Sequence, residues 1–164
     1  MIMKEISVPE LGRDMSIAVV AARFNRFIVD QLVAGVQDAL DRQGIEESRQ
    51  ALVWVPGAFE LPLMADQLAS SGKYDAVIAL GAVVRGGTPH FDFVAGECAS
   101  GLSEVSLDRG IPVTFGVLTT DTVEQALERA DTGEGNKGFD VAMAAIEMVE
   151  TMRAVKTHLA GLPG

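Results

Sequence analysis

Thiols, imidazoles and positive charge are scarce in this chain. The 164 residues include one cysteine, Cys98, and two histidines, His90 and His158. One thiol excludes a disulfide framework or a cysteine-based metal site within a chain. A reducing cytoplasm is the compartment this fits. So few nitrogen and sulfur ligands also argue against a bound metal. Lysine and arginine number 13 against 23 aspartates and glutamates, a net charge of −10. With no basic run, nucleic acid and anionic membrane are not expected partners. An anionic substrate would need local positive groups, which directs attention to the few Arg and Lys beside glycine-rich turns. No apolar run reaches the ~18 residues of a membrane span. The first residues, "MIMKEISVPELGRDM", lack the apolar core of a signal peptide.

What is present is apolar. Hydrophobic residues make up 48% of the chain, enough to bury one core. No linker, internal repeat or low-complexity segment divides it. Four β-rich runs stand out: "SIAVVAA" from Ser16, "ALVWV" from Ala51, "DAVIALGAVV" from Asp75 and "IPVTFGVL" from Ile111. Apolar on successive residues, they read as strands buried on both faces.

Helical patterns follow each strand. Ile28, Leu32, Val36, Ala39 and Leu40 share one face, Gly44 supplies a stop, and Gly35 lets the helix approach the sheet. Pro62 suits the first turn of a helix ending near Gly72. A third helix is expected from about Pro89 to Gly110. In "TDTVEQALERA", Asp121 and Glu124 form a capping pair. The last helix, from about Gly138 to His158, carries Val141, Ala145, Met148, Met152 and Val155 on one stripe. Cys98, in "AGECASG", reads as a packing residue inside a helix, and His158 as an exposed residue in a last turn.

Alternating strands and helices with right-handed crossovers predict an α/β three-layer α/β/α sandwich on a four-stranded parallel sheet, flavodoxin-like in outline. Residues 16–164 form one domain. Residues 1–15 form an N-terminal arm, in which "EISVPE" could be a short strand kept from a central position by Pro9. The arm is either a loose tail or pairs with an edge elsewhere.

Ligands of open α/β sheets bind beyond the carboxyl ends of the strands, and the unusual residues gather there. Gly86, Gly87, Thr88 and Pro89 leave N–H groups at a helix start that suit a phosphate, though a plain turn would also explain them. His90, in the first turn, could give or take a proton near neutrality, or be a solvent-exposed turn residue. Phe24, between Arg23 and Asn25, could stack on a planar ring or act as a hydrophobic staple for the next helix. Glu60 could bind hydroxyl groups or complement a helix dipole. Arg129 and Lys137 suit a helix end and a helix start without any ligand.

Together the segments "ARFN", "VPGAFELP", "LGAVVRGGTPHFDFV", "FGVLTTDTVEQALERA" and "GNKG" resemble, in order and spacing, the 6,7-dimethyl-8-ribityllumazine synthase family. The likeness runs from Ser16 to about Val155. Two departures are Gly87, where the family often has Ala or Glu, and the acidic "DTGEGNKG". The resemblance implies condensation of 5-amino-6-(D-ribitylamino)uracil with 3,4-dihydroxy-2-butanone 4-phosphate, the penultimate step of riboflavin biosynthesis. It implies that Phe24 stacks on the pyrimidine while Asn25 and Glu60 bind the ribityl chain. Gly57, Ala58, Val83 and Val84 would line the heterocycle through backbone groups, and Phe59 and Arg85 join the substrate-binding set. Gly87, Thr88 and Arg129 would hold the phosphate, and His90 would move protons. Phe115, Arg129 and Lys137 would reach in from a neighbouring subunit of a homopentamer. Closure of twelve pentamers into an icosahedral shell is permitted, as is association with riboflavin synthase. No cofactor is expected, since each step moves protons without a redox centre. The rival classes are a flavin carrier, which needs Phe24 and Glu60 but not His90, and a purely structural shell protein.

Overall fold

Each strand that must be buried on both faces needs a helix layer on either side, and the chain supplies two. In the computed structural model, which describes residues 2–8 and 10–164, the strands are β1 (Ile17–Ala22), β2 (Gln50–Val55), β3 (Ala76–Val84) and β4 (Val113–Thr120). They form one parallel sheet in the order β2-β1-β3-β4. The helices are α1 (Arg26–Gln43), α2 (Leu61–Ser70), α3 (His90–Arg109), α4 (Val123–Arg129) and α5 (Lys137–Ala160). Alternate residues of β1 face opposite layers. Ile17, Val19 and Ala21 pack toward α1, α4 and α5, whereas Ala18, Val20 and Ala22 pack toward α2 and α3. This is the predicted α/β/α sandwich.

Burial on both faces holds for the central strands only. All six residues of β1 are buried, but β2 and β4 lie at the edges and are partly open, with Leu52 45% exposed. An apolar run does not reveal whether a strand will have one neighbour or two.

Local signals set most helix ends. Gly44 and Gly110 stop α1 and α3 in left-handed conformation, at φ 79° and 69°. Pro62 sits in the first turn of α2. The cap of α4 lies one residue beyond the predicted pair. Thr122 accepts from the Gln125 N–H, and the Gln125 side chain accepts from the Thr122 N–H, a reciprocal capping box. Asp121 instead binds the Arg85 guanidinium at 2.9 Å.

The buried stripe of α5 is also rotated from the predicted one. Gly138, Val141, Ala142, Ala145, Ile146 and Val149 face the core, while Met148 and Met152 are exposed. Gly35 does permit a close approach, but to the turn before α5 rather than to the sheet. A Cβ there would lie 2.0 Å from Asn136 Oδ1. Cys98 is buried in α3 as expected, and His158 is half-buried in the last turn of α5 rather than exposed.

Residues 2–8 and 10–14 form no strand. Ile2 and Met3 are exposed, whereas Gln43 Nε2 donates to the carbonyl of Leu11 at 2.8 Å and Met15 is fully buried. Asp14 pairs with Arg49, whose guanidinium holds the carboxyl below its ordinary range. The expectation concerning Pro9 lies outside the described residues. Among the described residues, no helix is long and apolar enough to cross a membrane.

Candidate active site

Three chain reversals meet beyond the carboxyl ends of β1, β2 and β3, and main-chain bonds fix them to one another. The Arg23 N–H donates to the carbonyl of Val55 at 2.8 Å, and the Phe24 N–H to that of Pro56 at 3.1 Å. These bonds carry the β1–β2 ladder into the loops. Asn25 adopts the left-handed conformation at φ 60°, caps α1 through its backbone, and donates from Nδ2 to the carbonyl of Ala82 at 2.9 Å. It thereby ties the start of α1 to the end of β3. On the other side, the Arg85 N–H donates to the carbonyl of Thr120 at 2.8 Å.

These reversals enclose a cleft of about 770 Å³, within the ~300–1,000 Å³ of typical small-molecule sites. Of the predicted site residues, it gathers Phe24, Gly57, Ala58, Phe59, Glu60, Val83, Val84, Thr88 and His90 along its walls. Phe24 and Phe59 are 71% and 60% exposed, so both rings face solvent or a ligand. An exposure of that size is inconsistent with a staple role for Phe24. Glu60 stands at the N-terminus of α2 after a 3₁₀ turn over Ala58–Glu60, and its side chain caps nothing there. A Cβ on Gly57 would come within 3.3 Å of its carboxylate. His90 opens α3 and is exposed.

The glycines of the "RGGTPH" turn are not held in a conformation that requires glycine. Neither Gly86 nor Gly87 has positive φ, and a Cβ on either would meet nothing within 4 Å. Glycine here gives the N–H groups an open approach rather than a special conformation. Gly86 lines the cleft and Gly87 lies just outside it.

The remaining predicted residues lie elsewhere. Asn25 is spent on the backbone bond just described. Arg85 is held at the rim between Asp121 and Asp92, 2.9 and 3.5 Å away, with its guanidinium 4.4 Å above the Phe91 ring. Phe115 is on the edge strand β4, facing α3 beside Leu102 and Ser106. Arg129 ends α4, where it donates to the carbonyl of Gln125 at 3.1 Å, and Lys137 opens α5. None of these three lines the cleft of its own chain.

Two aromatic walls were not assigned from sequence. Phe91 and Phe93 border the cleft, Phe93 at 69% exposure. Both are inside "HFDFV", and the detectable signal was a pair of rings in the first turn of a helix beginning at a ligand-binding strand end. Among the described residues, no cluster of His, Cys, Asp or Glu could hold a metal ion.

An open parallel sheet with a ring-walled cleft at its strand ends, carrying one carboxylate and one imidazole, defines an α/β protein whose cleft has the place and size of a small-molecule site. The family can be stated more narrowly. The family model for 6,7-dimethyl-8-ribityllumazine synthase matches residues 14–153, from the end of the arm to the fifth turn of α5. The chain belongs to that family and is an enzyme of the transferase class, with its place in riboflavin biosynthesis.

Proposed function

We propose that the protein joins 5-amino-6-(D-ribitylamino)uracil to 3,4-dihydroxy-2-butanone 4-phosphate, giving 6,7-dimethyl-8-ribityllumazine, one phosphate and water. The observation that carries this reading is the pairing, in one cleft, of stacking rings with Glu60 and His90 beside the Gly86–Thr88 turn. Phe24 stacks on the pyrimidine, and backbone groups of Gly57, Ala58, Val83 and Val84 meet its edge. Glu60 receives ribityl hydroxyls. The 5-amino group attacks the ketone, and water leaves to give an imine. The carbon–oxygen bond to phosphate then breaks, and the ribityl-bearing amine closes the ring with loss of a second water. His90 transfers protons in these steps. Holding two reactants side by side supplies much of the rate.

The phosphate requires positive charge, and no Lys or Arg is among the residues lining the cleft. In this reading Arg129, Lys137 and Phe115 complete the cleft of an adjacent subunit. The assembly is a homopentamer in the cytoplasm. The turn Ala130–Gly138 has no insertion, which permits closure of twelve pentamers into a shell. Acidic Asp131 and Glu134 oppose closure wherever like residues meet on a symmetry axis. Association with riboflavin synthase would follow from such a shell.

Mixing the protein with both substrates should raise the lumazine absorbance band and release one phosphate per product. Binding of lumazine without turnover would favour a carrier instead. Light scattering at physiological salt should give a pentamer or a multiple of five. A fully active monomer would contradict the shared cleft.

A further inference from the structure

The turn between α4 and α5 is exposed from Asp131 to Gly135, contains two glycines, and has Gly135 in left-handed conformation at φ 70°. Asn136, next in sequence, is buried, one of two buried polar residues among those described. Its Oδ1 accepts from the Phe139 N–H at 3.0 Å, which caps α5. Serine or aspartate would do as much. Its Nδ2 does something neither can. It donates to the carbonyl of Gln31 in α1 and to that of Ala130 at the end of α4, each at 3.0 Å.

Space for this amide is reserved from two sides. A Cβ on Gly35 would lie 2.0 Å from Oδ1, and one on Gly138 would lie 2.9 Å from it and 2.1 Å from the Leu32 carbonyl. The carbonyl that Asn136 holds directly follows Arg129, and Lys137 directly follows Asn136. One buried amide thus fixes the backbone positions from which both exposed cations project.

We propose that Asn136 is a positioning residue for Arg129, acting on the phosphate-bearing substrate through it. This rests on the reading of Arg129 as a phosphate contact. Arg129 reaches its target through a long side chain, so its aim depends on a fixed starting point.

The test compares Asn136→Ser, Asn136→Asp, Arg129→Ala and the double variant Arg129→Ala/Asn136→Ser. Serine keeps the cap without adding charge. Aspartate keeps the cap but turns a carboxylate toward two carbonyls, so it is read only if circular dichroism shows a native fold. Asn136→Ser should raise KM for 3,4-dihydroxy-2-butanone 4-phosphate about 10-fold, below the ~100-fold that an ångström of misplacement can cost. KM for the pyrimidine should change less than about 2-fold, a split that general loosening of the fold would not produce. The double variant should be no worse than Arg129→Ala alone, because the amide acts through the arginine. Wild-type KM values in Asn136→Ser, or additive losses in the double variant, would overturn the inference and leave the Arg129 reading standing. If Arg129→Ala itself affects both substrates equally, the Arg129 reading fails, and the inference fails with it.

Discussion

The cleft at the strand ends and the corner between α4 and α5 are held in opposite ways. The cleft is fixed from its rim, by main-chain bonds of Arg23 and Phe24 and the side-chain amide of Asn25, which leave aromatic rings open inside it. Its lining contains one carboxylate and one imidazole but no Lys or Arg. The corner is fixed from its centre, by the buried amide of Asn136, and presents Arg129, Lys137, Asp131 and Glu134 outward. One region can receive a flat ring but has no cation for a phosphate. The other has cations but no wall for a ring. A reaction between a planar diamine and a phosphorylated ketone calls for both surfaces in one place, which is the physical ground for reading them as two halves of a site that adjacent copies complete.

The strongest way to break the cleft half is His90→Ala. The variant should lower kcat by up to ~100-fold, the scale of a lost general acid–base. Both KM values should change little, because the rings and Glu60 remain. An unchanged kcat at saturating substrate would remove His90 from the proton transfers.

The two regions should also differ in their tolerance of a single methyl group. At Gly138 a Cβ would overlap the Leu32 carbonyl, a backbone atom that cannot move aside without shifting α1. Gly138→Ala should cost about 1–3 kcal/mol, the usual range for overpacking, and lower Tm. At Gly87 a Cβ meets nothing within 4 Å and φ is not left-handed. Gly87→Ala should stay within about 0.5 kcal/mol of the parent. Equal Tm values for the two variants would contradict the tight α1–α5 crossing.

Much of this contrast was legible in the sequence, and the missing parts share a cause. Strand runs, the glycine stops at Gly44 and Gly110, and the clustering of Phe24, Glu60 and His90 depend on local composition and on a general rule for α/β sheets. What failed depended on neighbours distant in sequence. The stripe on α5 is set by its contact with α1, where Gly138 must face Leu32, so Met148 and Met152 turn outward. Leu52 is open because β2 happens to be an edge. The α4 cap moved from Asp121 to Thr122 because the Asp121 carboxylate is bound by Arg85. Asn136 drew no assignment of its own, since one partner, Gln31, is 105 residues away and the other, Ala130, follows a different helix.

The last expected effect concerns the layer behind the cleft and emerges only at alkaline pH. Burial pushes the Cys98 thiol up to about 11 from its ordinary value of 9.0. The unfolded thiol therefore ionises before the folded one. Its contribution to stability is fully present below about pH 9 and is lost as pH rises toward 11. Thermal melts at pH 8 and pH 10 should show a slightly smaller alkaline loss for Cys98→Ala than for the parent. An identical loss in both proteins would indicate that Cys98 ionises as readily folded as unfolded.

The central claim, that one chain's cleft works with another chain's corner, is tested most directly by subunit mixing. His90→Ala disables the cleft half and Arg129→Ala the corner half. Each alone should be impaired, whereas a random mixture, co-expressed or unfolded and refolded together, should regain activity. In a ring with head-to-tail contacts, about a quarter of the shared sites would join an intact cleft to an intact corner. Recovery toward that fraction of parent activity is the predicted result. A mixture that assembles normally and is no more active than the average of the two variants would contradict the account.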